Sequence, residues 1–364
     1  MKPALRRVAI VGAGIAGATL ARRLTDVGIG VQVFEKSRGL GGRLATRRTD
    51  WTAPDGRVHR ARFDHGAPAF AAHTPAFRRF MEQAQRAGRV TTWSPRLAPA
   101  LPIAQDAAPL WLPMPDMPAL CRHLLQGLDL RTGCTIDALR RGSGGWSLQS
   151  AGACAGDGFD AVVLAMPAPQ AAVLLHPHQL GWAEHAARVV WQPGWVLMGV
   201  AEAADAAPYW DMGRPSAGPL SCVLRTDARP GRERIAGLTH WVAHATPAWS
   251  QQHLEEAPFE VQAALLNALQ SALAEWQVHV TAWRHVAVHR WRYASALGPA
   301  DPAVALERDS THWWHEATGI GACGDAVGDA LGDPLAGAGV ELAWCSATAL
   351  AAHMVGGQPG QPAP

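Results

Sequence analysis

At 364 residues the chain is long enough for two or three domains or one large α/β assembly, and 48% hydrophobic against 17% charged residues is ample for a buried core. A formal charge of only +2 and the absence of any run of about eighteen apolar residues argue against a nucleic-acid partner and against a membrane span. Six cysteines without a C-x-x-C pair suit a reducing compartment, and Met1–Arg7 is too short for a signal peptide, so a cytoplasmic protein is expected.

Val8–Val11 is an apolar, β-branched run of strand type. Gly12, Gly14 and Gly17 follow in G-x-G-x-x-G spacing. Ile15–Val27 reads as a helix ended by Gly28, and Val31–Phe34 as a second strand closed by Glu35. Strand, tight turn, helix, strand and acid together form a dinucleotide-binding pattern. Gly12 permits the turn, Gly14 lets backbone approach a pyrophosphate, and Gly17 lets the helix lie close to the sheet. Ile15 and Ala16 open the helix, whose N-terminal N–H groups face the phosphates. Glu35, followed by Lys36, is placed to accept bonds from ribose hydroxyls. The extension KSRGLGGRLATRR then carries Gly41 and Gly42 before Arg43. NAD sites do not need it. Many flavoprotein oxidases and related enzymes carry it, because FAD runs its pyrophosphate past a second glycine turn and an arginine. Non-covalent FAD is the expected cofactor, with Gly42 at the turn and Arg43 on phosphate oxygens.

Further along, Arg62–Phe70 reads RFDHGAPAF. Asp64 and His65 form either a catalytic pair or a strand end before a turn. The turn is preferred, and it sets the backbone of His65, Gly66 and Ala67 beside a flavin. Thr74–Ala87 predicts a helix with Pro75 in its first turn. Val90–Pro113 is Pro-rich and reads as irregular or edge-strand structure. Met117–Leu125 predicts a short helix, and Leu128–Leu139 strands around Thr132-Gly133, with Ile136 against the adenine. A turn at Gly142–Gly145 precedes a strand at Trp146–Gln149. Phe159–Met166 predicts a buried strand ending in A-x-P, with Ala165 and Pro167 near the pyrophosphate, and a helix starts near Pro169.

From Trp182 to Ala294 the composition changes, with nine of the sixteen tryptophans. Strands are expected at Trp195–Val200, Ser221–Arg225, Leu238–Ala243 and Val286–Trp291, and one long helix at Glu256–Trp276. This predicts a second, α+β domain suited to substrate. No metal site is expected. His240 and His244 share a strand face rather than a helix turn, and His312-Trp-Trp-His315-Glu316 is not H-E-x-x-H. Gly319, Gly321 and Gly324 repeat the G-x-G-x-x-G spacing but read as a decoy, because no second strand with an acid follows. Gly321→Ala is then expected to leave FAD affinity intact. Gly324-Asp325 is expected at a strand end, with Asp325 on the ribityl hydroxyls. A helix from about Val340 to His353, after Gly337 and Gly339, would point N–H groups at the flavin N1–C2=O edge.

The motifs VAIVGAGIAG, EKSRGLGGRLATRR, FDHGA, WLPMPDMPAL, LAMPAPQA, WVAHATPAWSQQHLE, HRWRYA and CGD together resemble the bacterial renalase-like flavoproteins, within the amine-oxidase-related flavoprotein superfamily, over nearly the whole chain. The resemblance implies a p-hydroxybenzoate-hydroxylase-like two-domain fold and non-covalent FAD. It implies oxidation of misreduced dihydro isomers of NAD(P)H, with O2 as reoxidant giving H2O2. It also implies that His244 and Trp291 line the substrate pocket. Two departures stand out. Relatives read H-G-A-Q-Y-F where this chain has Pro68 and Ala69, and CGDW where Ala326 follows Asp325. The expected fold is α/β, with a Rossmann-type FAD-binding domain at residues 1–60, 112–170 and 300–364 and a substrate domain at 61–111 and 171–299. The expected function is an FAD-dependent oxidoreductase accepting a hydride on flavin N5, with a dihydronicotinamide or an amine as small-molecule donor. A flavin amine oxidase and a non-catalytic flavin-binding sensor or scaffold are the alternatives.

Overall fold

The apolar run after Arg6 folds as the strand at the centre of a parallel sheet. The computed structural model describes residues 5–53, 56–98, 109–178, 180–203, 208–299, 311–326 and 338–356. The chain begins with β1 (Arg7–Val11), α1 (Ile15–Asp26), β2 (Gly30–Glu35), β3 (Thr46–Thr52), β4 (Val58–Asp64), α2 (Pro75–Arg86), β5 (Val90–Trp93) and β6 (Leu110–Pro113). It continues through α3 (Ala119–Leu124), β7 (Asp129–Thr132), β8 (Ala138–Gly142), β9 (Gly145–Ser150), β10 (Ala153–Phe159), β11 (Ala161–Leu164), α4 (Ala168–Leu175) and α5 (Leu180–Arg188). Then come β12 (Val189–Ala203), β13 (Met212–Gly213), β14 (Leu220–Arg225), β15 (Leu238–Ala245), α6 (Pro247–Gln252), α7 (Pro258–Glu275) and β16 (Val280–Pro299). The last are β17 (Trp313–His315), β18 (Ile320–Ala322) and α8 (Ala338–Met354).

The first sheet runs β17-β18-β11-β1-β2-β7, parallel except for β17. Side chains alternate along a strand, so β1 serves two cores. Val8 and Ile10 join the cluster with Leu20, Leu24 of α1 and Leu350 of α8, while Ala9 and Val11 join Trp146, Leu148 and Leu175 on the other side. The chain steps from β1 outward to β2 and β7, then returns to β11 and β18 on the opposite side. Open sheets of this kind bind ligands outside the carboxyl ends of the strands at such a reversal. Gly12 and Ala165, which leave β1 and β11, sit at that point.

The second sheet runs β13-β14-β15-β12-β16, all antiparallel. One face, with Trp195, Leu197, Trp241 and Ala243, packs on Val261, Leu265 and Leu269 of α7. The other, with Val196, Met198, Val200, Cys222 and Val242, shares a core with Phe63 and the first sheet. That second face is therefore turned toward the nucleotide-type unit.

Most expected elements are present within a few residues, and the differences have local causes. α7 starts at Pro258, which occupies its first turn. The expected strand from Phe159 is split at Asp160, whose carboxylate accepts the N–H groups of Arg6 and Arg7. The hairpin β3–β4 replaces part of what reads as a basic extension. Its charged residues, Arg47, Arg48, Asp50, Arg60 and Arg62, hide the strand pattern. Residue 60, where the sequence reading divides the chain, lies within β4, so the division would cut this hairpin. No helix among the described residues is long and apolar enough to cross a membrane.

Candidate functional site

Gly12 has φ +113°, and a Cβ there would stand 2.2 Å from the Ala165 carbonyl oxygen. Only glycine permits this turn at the sheet reversal. Gly17 is needed for a different reason: its Cβ would meet the Gly12 carbonyl oxygen at 1.9 Å. Helix α1 therefore begins pressed against the turn. Gly14 is its N-cap and supplies no side-chain capping bond, leaving the first N–H groups, from Ile15, Ala16 and Gly17, directed at the crevice. Opposite lies the second glycine turn. Gly14 and Gly41 form a bridge, and a Cβ on Gly42 would stand 3.4 Å from the Gly14 Cα. The gap is bounded by backbone alone, a cradle that side chains would fill.

Glu35 is buried at the end of β2. Its Oε2 accepts from the Ala13 N–H at 2.8 Å and its Oε1 from the Ser37 N–H at 2.8 Å. Each oxygen retains a lone pair for a hydroxyl. Beside it, Cys134 N–H bonds to the Glu35 carbonyl, and Ile136 is buried in the adjoining cluster. Lys36 reaches Gln170 at 3.2 Å. Gly324 is at φ +153° with open space beside it, and its N–H bonds to Ser346 Oγ of α8 at 3.0 Å. A Cβ on Gly339 would come within 3.0 Å of Asp325 Oδ2, so the start of α8 does meet the end of β18. Val340 is buried in the main core, which leaves its backbone rather than its side chain for any ligand. Gly337 lies outside the described residues.

One pair departs from expectation. Arg43 and Asp325 stand as separate ligands in the sequence reading, for phosphate and for ribityl. They also bond to each other. Both Nη atoms of Arg43 donate to Asp325 at 2.5 Å, and Nη1 also reaches the Ala294 carbonyl at 3.2 Å. Burial opposes charge on Arg43, and the Asp325 carboxylate more than offsets it, holding the guanidinium above its ordinary value. The physical reason is that the fold brings opposite charges together across the crevice, with Asp325 buried and Arg43 partly exposed, which spacing in sequence cannot show. The second glycine pattern is not a strand–turn–helix unit: Gly319 is in a turn and Gly321 inside β18. A Cβ on Gly321 would nonetheless stand 2.9 Å from the Trp313 carbonyl oxygen and from the Trp314 ring. Alanine there would therefore strain the β17–β18 pairing and lower stability, a separate matter from FAD affinity.

A second region adjoins the crevice through residues 65–67. Ala67 N–H bonds to the Arg43 carbonyl at 2.9 Å, and a Cβ on Gly66 would be 1.9 Å from that oxygen. His65 then meets the open face of the second sheet. Its ring stacks on Trp291 with centroids 5.3 Å apart, and Trp291 Nε1 donates to the His65 carbonyl at 2.9 Å. His289 packs edge-on to both, at 4.7 Å from His65 and 4.5 Å from Trp291. Register sets His244 and His289 on either side of Val196, and His240 and His285 on either side of Val200, all on one face. Nε2 of His244 is buried without a hydrogen-bond partner among the described residues.

These imidazoles are held neutral. Burial, then the His289 charge, lowers His65 to about 4. Burial, then His65 and Arg229, lowers His244 to about 3. Burial also lowers His240, His285 and His289. Asp64 is no partner to His65. It turns the other way, accepting from Arg229 at 2.5 Å, Arg232 at 2.6 Å and Thr46 at 2.5 Å. Among the described residues the region offers flat neutral rings and no acid–base dyad. Pro68 and Ala69, the two departures from the resembled pattern, are both buried. Sequence reasoning missed His285 and His289. Their even spacing with Trp291 on a strand was the available signal, masked by Arg284, Arg290 and Arg292 on the alternate positions.

Residues 10–84 match the family model of the NAD(P)-binding Rossmann-like domain. The chain is 30% identical to a tRNA 5-methylaminomethyl-2-thiouridine biosynthesis bifunctional protein of Magnetococcus marinus, in a match covering 47% of this chain and 30% of that protein. The chain thus matches less than a third of that relative's length. Among solved structures it is similar to one from Exiguobacterium sp. 255-15 assigned provisionally as a protoporphyrinogen oxidase, with TM-score 0.68 and 12% identity over 96% of this chain and 98% of that one. It is also similar to cyclohexylamine oxidase from Brevibacterium oxydans, with TM-score 0.63 and 13% identity over 97% and 100%. At such identities the likeness defines the fold: an α/β chain with an N-terminal Rossmann-like dinucleotide-binding domain.

Proposed function

We propose that this protein is an FAD-dependent oxidoreductase that removes a hydride from a dihydronicotinamide donor and passes the two electrons to O2. The observation that carries it is the junction of a backbone-lined dinucleotide cradle with a cluster of neutral imidazole and indole rings. The FAD-binding part is read as residues 1–60, 112–170 and 300–364, the substrate part as 61–111 and 171–299, in a p-hydroxybenzoate-hydroxylase-like arrangement. The cradle residues suit non-covalent FAD. The open N-terminus of α1, between Gly14 and Gly42, faces the pyrophosphate. Glu35 takes the ribose hydroxyls, and Ile136 with Ala165 borders the adenine and pyrophosphate. Asp325, oriented by Arg43, faces the ribityl chain, and the start of α8 at Val340 faces the N1–C2=O edge. FAD bound there supplies a hydride acceptor at N5.

His65, His244 and Trp291 orient a flat ring at this cluster. Hydride loss from a dihydropyridine restores aromaticity, so alignment matters more than proton removal. The balance is one dihydronicotinamide, one O2 and one proton giving nicotinamide cation and H2O2. Neutral histidines suit this donor because the product ring is cationic and stacks against rings that carry no charge of their own. An amine donor would need an open aromatic cage. The nearest candidate, Trp191 with Tyr293, already has the Arg43 guanidinium 5.2 Å from the Trp191 ring. A scaffold without turnover is excluded by any flavin reduction. The direct test of the cofactor is heat release: the purified protein should be yellow and yield FAD. Release of FMN, or a colourless well-folded protein, overturns the reading.

A further inference from the structure

Beside the histidine cluster lies a cavity of about 550 Å³ whose walls include Arg96, Arg229, Arg232 and Arg234, with Trp93 and Asp211. The arginines are not equivalent. Arg229 forms the floor, its side chain 2% exposed, and its guanidinium lies 5.0 Å from the Trp93 ring. Arg232 is 7% exposed, while Arg234 and Arg96 stand at the exposed rim. Arg96 is paired with Asp211, and Arg229 and Arg232 share the one carboxylate of Asp64. Arg234 bonds only to the carbonyls of Asp227 and Ala228 among the described residues. Four arginines therefore face two carboxylates.

Donors are left over where they are most costly. Nε and Nη2 of Arg229 and Nε of Arg232 are buried without a partner among the described residues. A buried donor left unmade costs more than a made bond contributes, so structure of this kind is expected to have a ligand. The uncompensated charge is positive and the donors are guanidinium, which fits the forked geometry of phosphate or carboxylate. Arg229 also acts on the cluster, since its charge is among the causes that keep His244 neutral. Arg229 thus lies close enough to His244 for its charge to be felt there, and it bonds to Asp64, the neighbour of His65 in the chain.

We infer that this arginine cavity binds the diphosphate group of the electron donor, holding a dinucleotide by its anionic tail while the ring meets the histidine cluster. The choice of a dinucleotide rests on the function proposed above; the presence of an oxyanion site does not. Cavity size supports a diphosphate over a small carboxylate, as does the count of arginines.

Two measurements separate the ideas. Isothermal titration of the flavin-loaded protein with inorganic pyrophosphate should saturate at one site, with acetate binding much more weakly. Arg234→Gln, at the exposed rim, should weaken pyrophosphate binding about tenfold, and Arg232→Gln more. Arg284→Gln, on the edge strand where it pairs with Glu202, is the control. In anaerobic flavin reduction, Arg234→Gln should raise the KM for a dihydronicotinamide dinucleotide about tenfold more than for the phosphate-free dihydronicotinamide riboside. No saturable pyrophosphate binding, equal binding of acetate, or pyrophosphate affinity indifferent to Arg234→Gln and Arg232→Gln overturns the inference, whatever the donor kinetics show. Equal KM changes for the two donors overturn the diphosphate assignment. If neither donor reduces the flavin while pyrophosphate binds as expected, the fault lies with the proposed function and the oxyanion site stands.

Discussion

Breaking the Arg43–Asp325 pair one partner at a time measures how the crevice is held. Asp325 is 6% exposed, and both its oxygens accept from Arg43 at 2.5 Å. Removing one member of a buried pair costs about 3–5 kcal/mol, because the remaining charge stays desolvated. The Arg43 side chain keeps 31% exposure, so water reaches it and the expectation falls to the low end, about 3 kcal/mol. Arg43→Met and Asp325→Asn should each cost that much. The double variant should cost about 3–4 kcal/mol instead of about 6, a coupling of about 2–3 kcal/mol. Urea unfolding followed by tryptophan fluorescence gives the cycle. FAD must be held at one excess throughout, since a ligand of the folded state adds to stability. Additive costs, or single variants within about 0.5 kcal/mol of the parent, would refute the pairing.

The two glycines of α1 should separate folding from binding. Gly17→Ala, with its Cβ 1.9 Å from the Gly12 carbonyl oxygen, should fail to fold or lose several kcal/mol, while Gly14→Ala has no neighbour nearer than 3.9 Å and should fold normally. Gly14→Ala should still weaken FAD at least tenfold in a titration of apo-protein, because the methyl enters the cradle; unchanged affinity would remove Gly14 from the site. The buried histidines predict a pH slope. His65 near 4 and His244 near 3 bind protons less readily than in the unfolded chain, where histidine titrates near 6.5. Stability should therefore fall as pH drops from about 6.5 toward 4 and level off below the folded values. His65→Gln and His244→Gln should flatten this slope in urea midpoints, and an unchanged slope would mean that these rings are not desolvated.

The N-terminal unit was legible because its constraints are local. Gly12, Gly14, Gly17 and Glu35 lie within one strand–helix–strand passage, and each spacing maps onto one turn or one close approach. The buried strands of the second sheet were legible from their apolar runs. The β3–β4 hairpin was not, because its solvated, arginine-rich face suppresses the period-two pattern. The meeting of Arg43 with Asp325, 282 residues apart in sequence, depends on the sheet reversal. So does Asp64, which its neighbour His65 suggests as a dyad partner and which instead serves Arg229 and Arg232 from a distant loop. His289 was within reach of a strict reading of strand parity around Trp291.

The proposed hydride transfer is tested most directly by anaerobic stopped-flow reduction of the bound flavin with three donor types. A cluster of neutral rings predicts that dihydronicotinamides bleach the flavin faster than simple amines, and the resemblance to renalase-like flavoproteins implies that 2- or 6-dihydro-NAD(P) does so much faster than ordinary 4-dihydro NAD(P)H. Faster reduction by an amine, or no reduction by any donor, would contradict it.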